Sequence, residues 1–170
     1  MPEPHVYLNG RMVPASQAHL AIADQEAHLA DPDAAALLLD LDGNVAETSG
    51  ANFLIVDQGV IVSPTLRNIL PGISRAVVIE LAAKLGIHFA ERDFQVFNVV
   101  NAEEAFTTTT PYCLMPVTKI NGIPIGDGKP GPVFARLLEA WSREVGLDIR
   151  RQIVEVGAER LRRTSDTLEN

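Results

Sequence analysis

The sequence reads Glu47-Thr48-Ser49-Gly50-Ala51-Asn52 at the end of one predicted strand and Leu70-Pro71-Gly72-Ile73-Ser74-Arg75 at the start of a predicted helix. Glu47 lies in an otherwise apolar strand, where an unpaired carboxylate is costly, so we expect it to have a positively charged partner. The helix start offers free backbone N–H groups and the Ser74 hydroxyl, which together suit an anion. Each feature also has a simpler interpretation: Glu47 as a carboxylate at the surface end of a strand, and Ser74 as the cap of its own helix.

Composition limits the class of protein. The chain has 170 residues, 46% of them hydrophobic and 21% charged, which is typical of one soluble globular domain. Its net charge of −8 argues against a nucleic-acid surface, because phosphate backbones require clustered Lys and Arg. Cys113 is the only cysteine, so neither an intramolecular disulfide nor a cysteine-based metal site is expected. With no signal-peptide pattern at residues 1–5 and no apolar run of about 20 residues, we predict a cytoplasmic protein without a membrane span.

Most of the chain has the pattern of short strands. Asn9-Gly10 and Asn121-Gly122 each lie between apolar runs and predict two-residue hairpins. Residues 36–63 predict an antiparallel meander, and the four threonines 107–110 extend a further strand because β-branched residues suit a pleated surface. Shorter strands are expected at 87–89 and 95–97.

Two segments have helical spacing. Residues 74–85 carry apolar side chains at helical intervals and end at Gly86. Pro130-Gly131-Pro132 opens a second helix that ends at Gly146, and the side chains expected to face inward are Val133, Leu137, Leu138, Trp141 and Val145. A short helix is expected at 25–30. We therefore predict one domain over residues 1–147, followed by a charged tail over 148–170 that is either a loose helix or disordered.

Several motifs occur in one order along the chain. They are Tyr7-Leu8-Asn9-Gly10-Arg11-Met12-Val13, the 47–53 and 70–75 stretches, and Thr110-Pro111-Tyr112-Cys113-Leu114-Met115-Pro116-Val117-Thr118 followed by Asn121-Gly122. In this order and spacing the sequence resembles the class IV aminotransferases, the family of branched-chain and D-amino-acid aminotransferases, over roughly residues 6–147. The resemblance implies an α+β fold, namely the large C-terminal domain of that family. We expect an antiparallel-rich, partly barrel-like sheet with two main helices.

The resemblance also implies a pyridoxal 5′-phosphate site. By matching positions, Glu47 pairs with the pyridine nitrogen and Leu70 packs against a ring face. The backbone N–H groups of Ile73 and Ser74, with the Ser74 hydroxyl, hold the phosphate. The remaining residues assigned by resemblance are Thr109 and Thr110 at the phosphate, and Pro111 and Tyr112 at the substrate carboxylate. No metal ligand is assigned.

One catalytic group of the family has no match here. The family's Schiff-base lysine follows a small N-terminal domain and lies shortly before the segment that matches residues 26–28. In this chain residues 24–26 join the segment that precedes the small domain directly to the segment that follows it. This implies an internal deletion that also removes an arginine of the phosphate site. The lysines of this chain, Lys84, Lys119 and Lys129, do not match that position. No catalytic residue is therefore assigned, and the isolated chain is predicted to bind the cofactor weakly, non-covalently and without turnover.

Three functions remain open at this point. The chain is an aminotransferase completed by another lysine or by a second chain, a catalytically dead remnant, or a non-enzymatic module that uses the face left by the deletion. Family resemblance favours amino-group transfer between an amino acid, of the branched-chain type, and a 2-oxo acid. It also implies a homodimer, since class IV enzymes place their sites at a dimer interface. The missing lysine favours the remnant.

Overall fold

The computed structural model of the chain describes residues 5–8, 11–14 and 35–155. The short helix predicted at 25–30, the deletion predicted near 24–26 and the part of the predicted 148–170 tail from 156 onward lie outside the described residues. Residues 149–155 of that tail form a helix, and Ile149 is buried in the core. The strands are β1 (His5–Leu8), β2 (Arg11–Pro14), β3 (Leu37–Leu39), β4 (Val45–Thr48), β5 (Asn52–Asp57), β6 (Val60–Ser63), β7 (Phe89–Glu91), β8 (Glu104–Thr109), β9 (Cys113–Val117), β10 (Lys119–Ile120) and β11 (Ile123–Pro124). The helices are α1 (Ile73–Lys84), α2 (Val96–Val100), α3 (Pro132–Val145) and α4, which begins at residue 149 and is described to residue 155.

Strands β3 to β9 form one seven-stranded sheet, and every pairing in it is antiparallel except β6 with β7. β8 runs along one edge of β5, from Asn52 opposite Thr108 to Val56 opposite Glu104. The other edge of β5 is shared by β4 near its start and β6 near its end. The α+β, antiparallel-rich prediction is confirmed, and the described strands do not close into a barrel.

Both predicted hairpins are present. β1 pairs with β2, and β10 pairs with β11, each in antiparallel register. In the second hairpin Asn121 and Gly122 have φ values of 50° and 79°. A two-residue type I′ turn requires positive φ values at both of its central residues, and asparagine and glycine adopt them most easily.

The sheet is buried on both faces, and β5 shows this directly. Leu54 and Val56 point to one face and join a core cluster with side chains of α1 and α3, whereas Phe53 and Ile55 point to the other face. That second face is covered by residues before and within α2, among them Phe94 and Val99. Because the side chains of a strand alternate, a strand that is apolar at successive positions is buried on both sides.

The predicted long helices are confirmed with small shifts of their ends, and α3 ends at Gly146 in the left-handed conformation. Three details were wrong. The strand predicted at 87–89 lies two residues further along the chain, as β7 (Phe89–Glu91). Residues 95–97, predicted as a strand, lie in and before α2, where the Gln95 and Asn98 side chains form a reciprocal capping box that favours a helix start. Val145, predicted to face inward, is 54% exposed as the last residue of α3.

Two buried charged side chains fix the helices to the sheet. Arg75, in the first turn of α1, donates from Nε to the Ser63 hydroxyl at 2.8 Å, forms an ion pair with Glu91 and lies over the Phe89 ring. Glu104 accepts the backbone N–H groups of Val133 and Phe134 at 2.7 and 2.9 Å and so caps the start of α3. The Arg75 contacts fix the start of α1 to the ends of β6 and β7, and Glu104 fixes the start of α3 to the start of β8.

Candidate functional site

A depression of about 230 Å³ lies where the ends of β4 and β8, the start of β5 and the start of α1 meet. Its lining residues are Glu47, Thr48, Ser49, Gly50, Ala51, Asn52, Leu70, Gly72, Ile73, Ser74, Thr108, Thr109 and Thr110. The six residues that the sequence assigned to a cofactor, namely Glu47, Leu70, Ile73, Ser74, Thr109 and Thr110, are all among them. Pro111 and Tyr112, assigned to the substrate, are not part of this lining.

Glu47 is held by neutral donors. Its Oε2 accepts a hydrogen bond from the Asn52 amide nitrogen at 2.9 Å and one from the Leu70 backbone N–H at 3.2 Å. Residues 47 and 52 are direct partners in the β4–β5 register, which explains why the two side chains meet. The positively charged partner expected from the sequence was not found: within the described part of the chain no Lys or Arg forms an ion pair with Glu47. One carboxylate oxygen, Oε1, accepts none of these bonds.

Asn52 connects the strand to the loop before α1. Its side chain is buried, and the amide nitrogen that binds Glu47 also donates to the Leu70 backbone oxygen at 2.9 Å. Gly72 allows this approach, since a Cβ atom at residue 72 would lie 2.1 Å from the Asn52 Oδ1. Real Cβ atoms essentially never make contacts below 3.0 Å, so residue 72 must be glycine if Asn52 keeps this position.

The start of α1 presents unused hydrogen-bond donors. The first helical bond in this region runs from the Ala76 N–H to the Gly72 oxygen, so the N–H groups of Ile73, Ser74 and Arg75 have no acceptor among the described residues. Gly72 is the N-cap residue and provides no side-chain cap. Free N–H groups at a helix start carry partial positive charge and attract anions. The simpler interpretation of Ser74 as the cap of this helix was wrong.

The threonines at the end of β8 form the opposite wall. The Thr109 hydroxyl donates to the Gly50 backbone oxygen at 3.1 Å and joins the turn after β4 to β8. Thr108 is 2% exposed, and its hydroxyl is the one buried side-chain polar atom in the described residues without a hydrogen-bond partner. Thr110 follows at the exposed end of the strand. Three threonines therefore border the depression at this end of β8.

Apolar side chains border the depression as well. Leu70 is 71% exposed and Ile73 is 82% exposed, although both are large and hydrophobic. Flat apolar ligands are commonly bound between such side chains. The depression therefore combines a carboxylate, an apolar border and a helix start with free N–H donors.

None of the three lysines lines the depression. Lys84 ends α1 and forms an ion pair with Glu144, Lys119 is exposed in β10, and Lys129 lies in the loop before α3. Among the residues that the structure describes, no group of three or more His, Cys, Asp or Glu side chains is arranged to hold a metal ion. Over the described ranges, none of the helices has the length and apolar character needed to cross a membrane.

Sequence reasoning missed two members of this site. Asn52 was part of the quoted motif but had no role assigned, and only the register of β4 and β5 shows that it faces Glu47. Thr108 was read as part of a threonine run. The sequence did contain a signal, because neighbouring strand residues point to opposite faces, so Thr107 and Thr108 cannot both face the helix.

Comparisons with known proteins agree with the motifs. The family model described as amino-transferase class IV matches residues 8–120. The branched-chain-amino-acid aminotransferase-like protein 1 of Arabidopsis thaliana is 42% identical over 108 residues, which are 64% of this chain and 20% of that protein. The D-alanine aminotransferase of Listeria monocytogenes (strain 10403S) is 34% identical over 125 residues, which are 73% of this chain and 43% of that protein.

The solved structures include good matches to this fold. The branched-chain amino acid aminotransferase of Thermobaculum terrenum, solved in its PLP-form, superposes with a TM-score of 0.68 at 30% identity. The match covers 77% of this chain and 43% of that chain. This chain therefore spans less than half the length of these relatives.

Proposed function

This chain belongs to the class IV aminotransferases, and from that premise we propose that its depression binds pyridoxal 5′-phosphate non-covalently, without turnover by the isolated chain. One observation carries the proposal. The carboxylate of Glu47 and the free N–H groups at the start of α1 border the same depression, at the spacing set by Asn52 and the 70–72 loop.

The residues present fit this cofactor at both of its ends. The start of α1 supplies N–H donors for a phosphate, and the buried, unpartnered Thr108 hydroxyl lies in the same lining. At the other end Glu47 supplies a carboxylate for a protonated ring nitrogen. Exposed Leu70 supplies an apolar surface for a ring face. Thr109 and Thr110 complete the polar wall on the phosphate side.

Each of these residues has a definable task. The cofactor, when bound, supplies a ring that withdraws electrons from the reacting carbon, and this requires a protonated ring nitrogen. The Glu47 carboxylate holds that proton in place, because an adjacent negative charge favours the protonated form of a nitrogen base. Asn52 fixes the carboxylate by occupying Oε2, which leaves Oε1 to face the ligand. Ile73 and Ser74 orient the phosphate through their backbone N–H groups.

The absence of a lysine from the lining supports the proposed lack of turnover. Amino-group transfer requires a base that moves a proton at the reacting carbon, and in this family that base is the lysine that also binds the cofactor. All three lysines of the chain lie in described segments away from the depression. Turnover by this chain requires a lysine from elsewhere, such as a second chain.

The proposed substrates, oligomeric state and location of a completed site are taken from the similar proteins and from the family resemblance. Transfer of an amino group between a branched-chain amino acid and a 2-oxo acid is the reaction we propose for a completed site, with Pro111 and Tyr112 near the substrate carboxylate. We also propose a homodimer and a cytoplasmic location. The branched-chain names among the relatives support the substrate class, while the D-alanine aminotransferase supports a D-amino acid as the alternative.

Cofactor titration of the purified chain tests the proposal. We expect saturable binding of pyridoxal phosphate, followed by absorbance and by fluorescence of Trp141, and we expect Glu47→Ala to weaken it at least fivefold. Glu80→Ala, which removes an exposed carboxylate of α1 outside the depression, is the matched control. Lack of binding by the wild type, or equal binding by Glu47→Ala, would contradict the proposal.

An assay of turnover tests the proposed lack of catalysis by the isolated chain. L-leucine, D-alanine and an (R)-amine are offered against pyruvate and 2-oxoglutarate in the presence of pyridoxal phosphate. We expect no transfer by the chain alone. Transfer that is abolished by Glu47→Ala would instead show that the site is completed by a lysine from another region or chain, and the active donor would identify the substrate class.

A second candidate function is an assembly module that needs no cofactor. It is favoured by the exposure of Leu70 and Ile73, since large apolar side chains at one surface mark contacts with a partner. Both functions predict an oligomer, so size-exclusion chromatography with light scattering distinguishes them only together with the cofactor titration. A stable oligomer that Ile73→Ser disrupts, in a chain that binds no pyridoxal phosphate, supports the module, whereas a monomer counts against it.

A further inference from the structure

Thr108 lines the depression, and the proposed function assigns no hydrogen bond to its hydroxyl. Thr108 is 2% exposed, and its Oγ1 has no hydrogen-bond partner among the described residues. A buried hydroxyl without a partner is costly, and such groups are rare in folded proteins. A role in binding accounts for its presence.

The position of Thr108 is determined by the strand register. Thr108 lies opposite Asn52 on β5 and opposite Leu114 on β9. Directly opposite residues share a face of the sheet. Leu114 belongs to the core cluster that includes Val78 and Leu81 of α1, so Thr108 lies on the face that α1 covers, near the end where α1 begins.

The neighbouring groups do not satisfy the hydroxyl. Asn52 faces Thr108 across the strands, but both hydrogens of its amide nitrogen are used by Glu47 and by the Leu70 oxygen. The Thr109 hydroxyl is directed to Gly50. The N–H groups of Ile73, Ser74 and Arg75 lack acceptors in the described residues. The side of the depression where α1 begins therefore holds donors that have no acceptor among the described residues, which is the composition of an anion site.

We propose that the Thr108 hydroxyl, which is buried in the ligand-free protein, donates a hydrogen bond to a phosphate monoester bound at the start of α1. This inference rests on the proposed cofactor site and adds a residue to it. The hydroxyl is inaccessible in the free protein, so binding requires a rotation about χ1, which moves a threonine hydroxyl by about 120° between staggered positions. Thr108 is thus a phosphate-positioning residue that is used only when the site is filled.

The inference predicts opposite effects of one substitution on binding and on stability. Thr108→Val keeps the shape of the side chain and removes the hydroxyl. We expect it to weaken the binding of inorganic phosphate and of pyridoxal phosphate by about tenfold, the size of one hydrogen bond to a charged group. The ligand-free variant should unfold at the same or a higher urea concentration than the wild type, because an unpartnered hydroxyl has been removed.

Three further variants complete the test by isothermal titration of the full chain. Thr107→Val is the control, since residue 107 lies on the opposite face, opposite Phe53 and Met115, and it should leave both affinities unchanged. Thr108→Ser keeps a hydroxyl and should retain phosphate affinity within about threefold. Thr108→Ala should lose phosphate affinity as Thr108→Val does, and it takes the place of the valine variant if that variant does not fold.

The outcomes separate the two proposals. Wild-type phosphate affinity in Thr108→Val or Thr108→Ala, with the wild type binding pyridoxal phosphate, overturns the role of Thr108 and leaves the cofactor site standing. A loss confined to pyridoxal phosphate, with inorganic phosphate bound as before, also overturns it, since the hydroxyl then does not contact the anion. A wild type that binds neither ligand overturns the cofactor site and this inference together.

Discussion

Gly72 sets the geometry of the depression because it admits the Asn52 side chain. A Cβ at residue 72 would lie 2.1 Å from the Asn52 Oδ1 and 3.3 Å from its Cγ. Asn52 cannot move away freely, since it is bound to both Glu47 and the Leu70 oxygen. We therefore expect Gly72→Ala to destabilise the fold by about 1–3 kcal/mol, the usual cost of forced overpacking. Urea unfolding followed by Trp141 fluorescence measures it.

The same contact predicts a specific coupling between two substitutions. In the Asn52→Ala background the two closest contacts of a Cβ at residue 72 disappear, and the next atom, the Arg75 Cβ, lies at an ordinary 3.7 Å. The cost of Gly72→Ala should therefore vanish there, with a coupling of about 1–3 kcal/mol in the double-mutant cycle. Gly50→Ala is the control, since a Cβ there meets nothing within 4 Å. Additive costs would show that the backbone, and not Asn52, excludes alanine.

At the scale of the elements, the start of α3 depends on one buried carboxylate. Glu104 is 5% exposed and accepts the N–H groups of Val133 and Phe134, and Gly131 lies against it so closely that a Cβ there would be 2.1 Å from its Cδ. Glu104→Ala leaves one buried and one half-buried donor unpaired, so we expect a loss of about 2–4 kcal/mol of unfolding free energy. Urea unfolding measures this loss.

The neighbouring acid provides the control for this element. Glu103 is exposed and accepts one hydrogen bond, from the Gly59 N–H at 3.0 Å. Glu103→Ala should cost less than about 1 kcal/mol, because an exposed donor is satisfied by water. Equal losses in the two variants would mean that the buried cap of α3 contributes no more than a surface contact.

The turn between β3 and β4 adds a pH dependence. Burial alone would raise the pKa of Asp40, but hydrogen bonds from the Asn44 and Asp42 backbone and from the Asn44 and Asn68 side chains outweigh it and lower the pKa below 3.8. A carboxyl whose pKa is lower in the folded state stabilises the fold above the unfolded pKa, and this contribution is lost as the pH falls through the folded value. Asp40→Asn should therefore be less stable than the wild type at pH 7, and the difference should shrink below pH 3.8.

The contact with Asn68 gives this turn a link to the site, because residues 68–72 lead into α1. Urea unfolding of both proteins at several pH values measures the difference. Asp42→Asn, in the same turn, is the control, because it keeps the backbone N–H that donates to Asp40 and so should leave the Asp40 contribution in place. A constant gap between wild type and Asp40→Asn down to pH 2.5 would refute the role of the Asp40 charge.

At the scale of the whole molecule, local signals predicted most of the fold. Strands β3 to β6 all lie within the meander predicted for residues 36–63, and the Asn121-Gly122 turn occurs where the positive φ requirement placed it. The prediction failed at residues 95–97, where a capping box between Gln95 and Asn98 outweighs the β-propensity of Val96 and Phe97. Contacts between distant segments were not visible in the sequence either. Neutral donors hold Glu47, and Glu104 caps a helix that begins 28 residues further along the chain.

Ligand linkage should show whether these segments act as one site. A ligand that binds only the folded state at a hundred times its Kd adds about 2.7 kcal/mol to the unfolding free energy. We expect pyridoxal phosphate to raise the Tm and pyridoxal, which lacks the phosphate, to do so far less, because the free N–H groups at the start of α1 bind the anion. Differential scanning fluorimetry at equal ligand concentrations measures both shifts. Equal Tm shifts with the two ligands would place the binding at an aldehyde-reactive lysine outside the depression. A Tm shift with pyridoxal phosphate that is as large in Gly72→Ala as in the wild type would show that ligand binding does not depend on the Asn52–Gly72 contact.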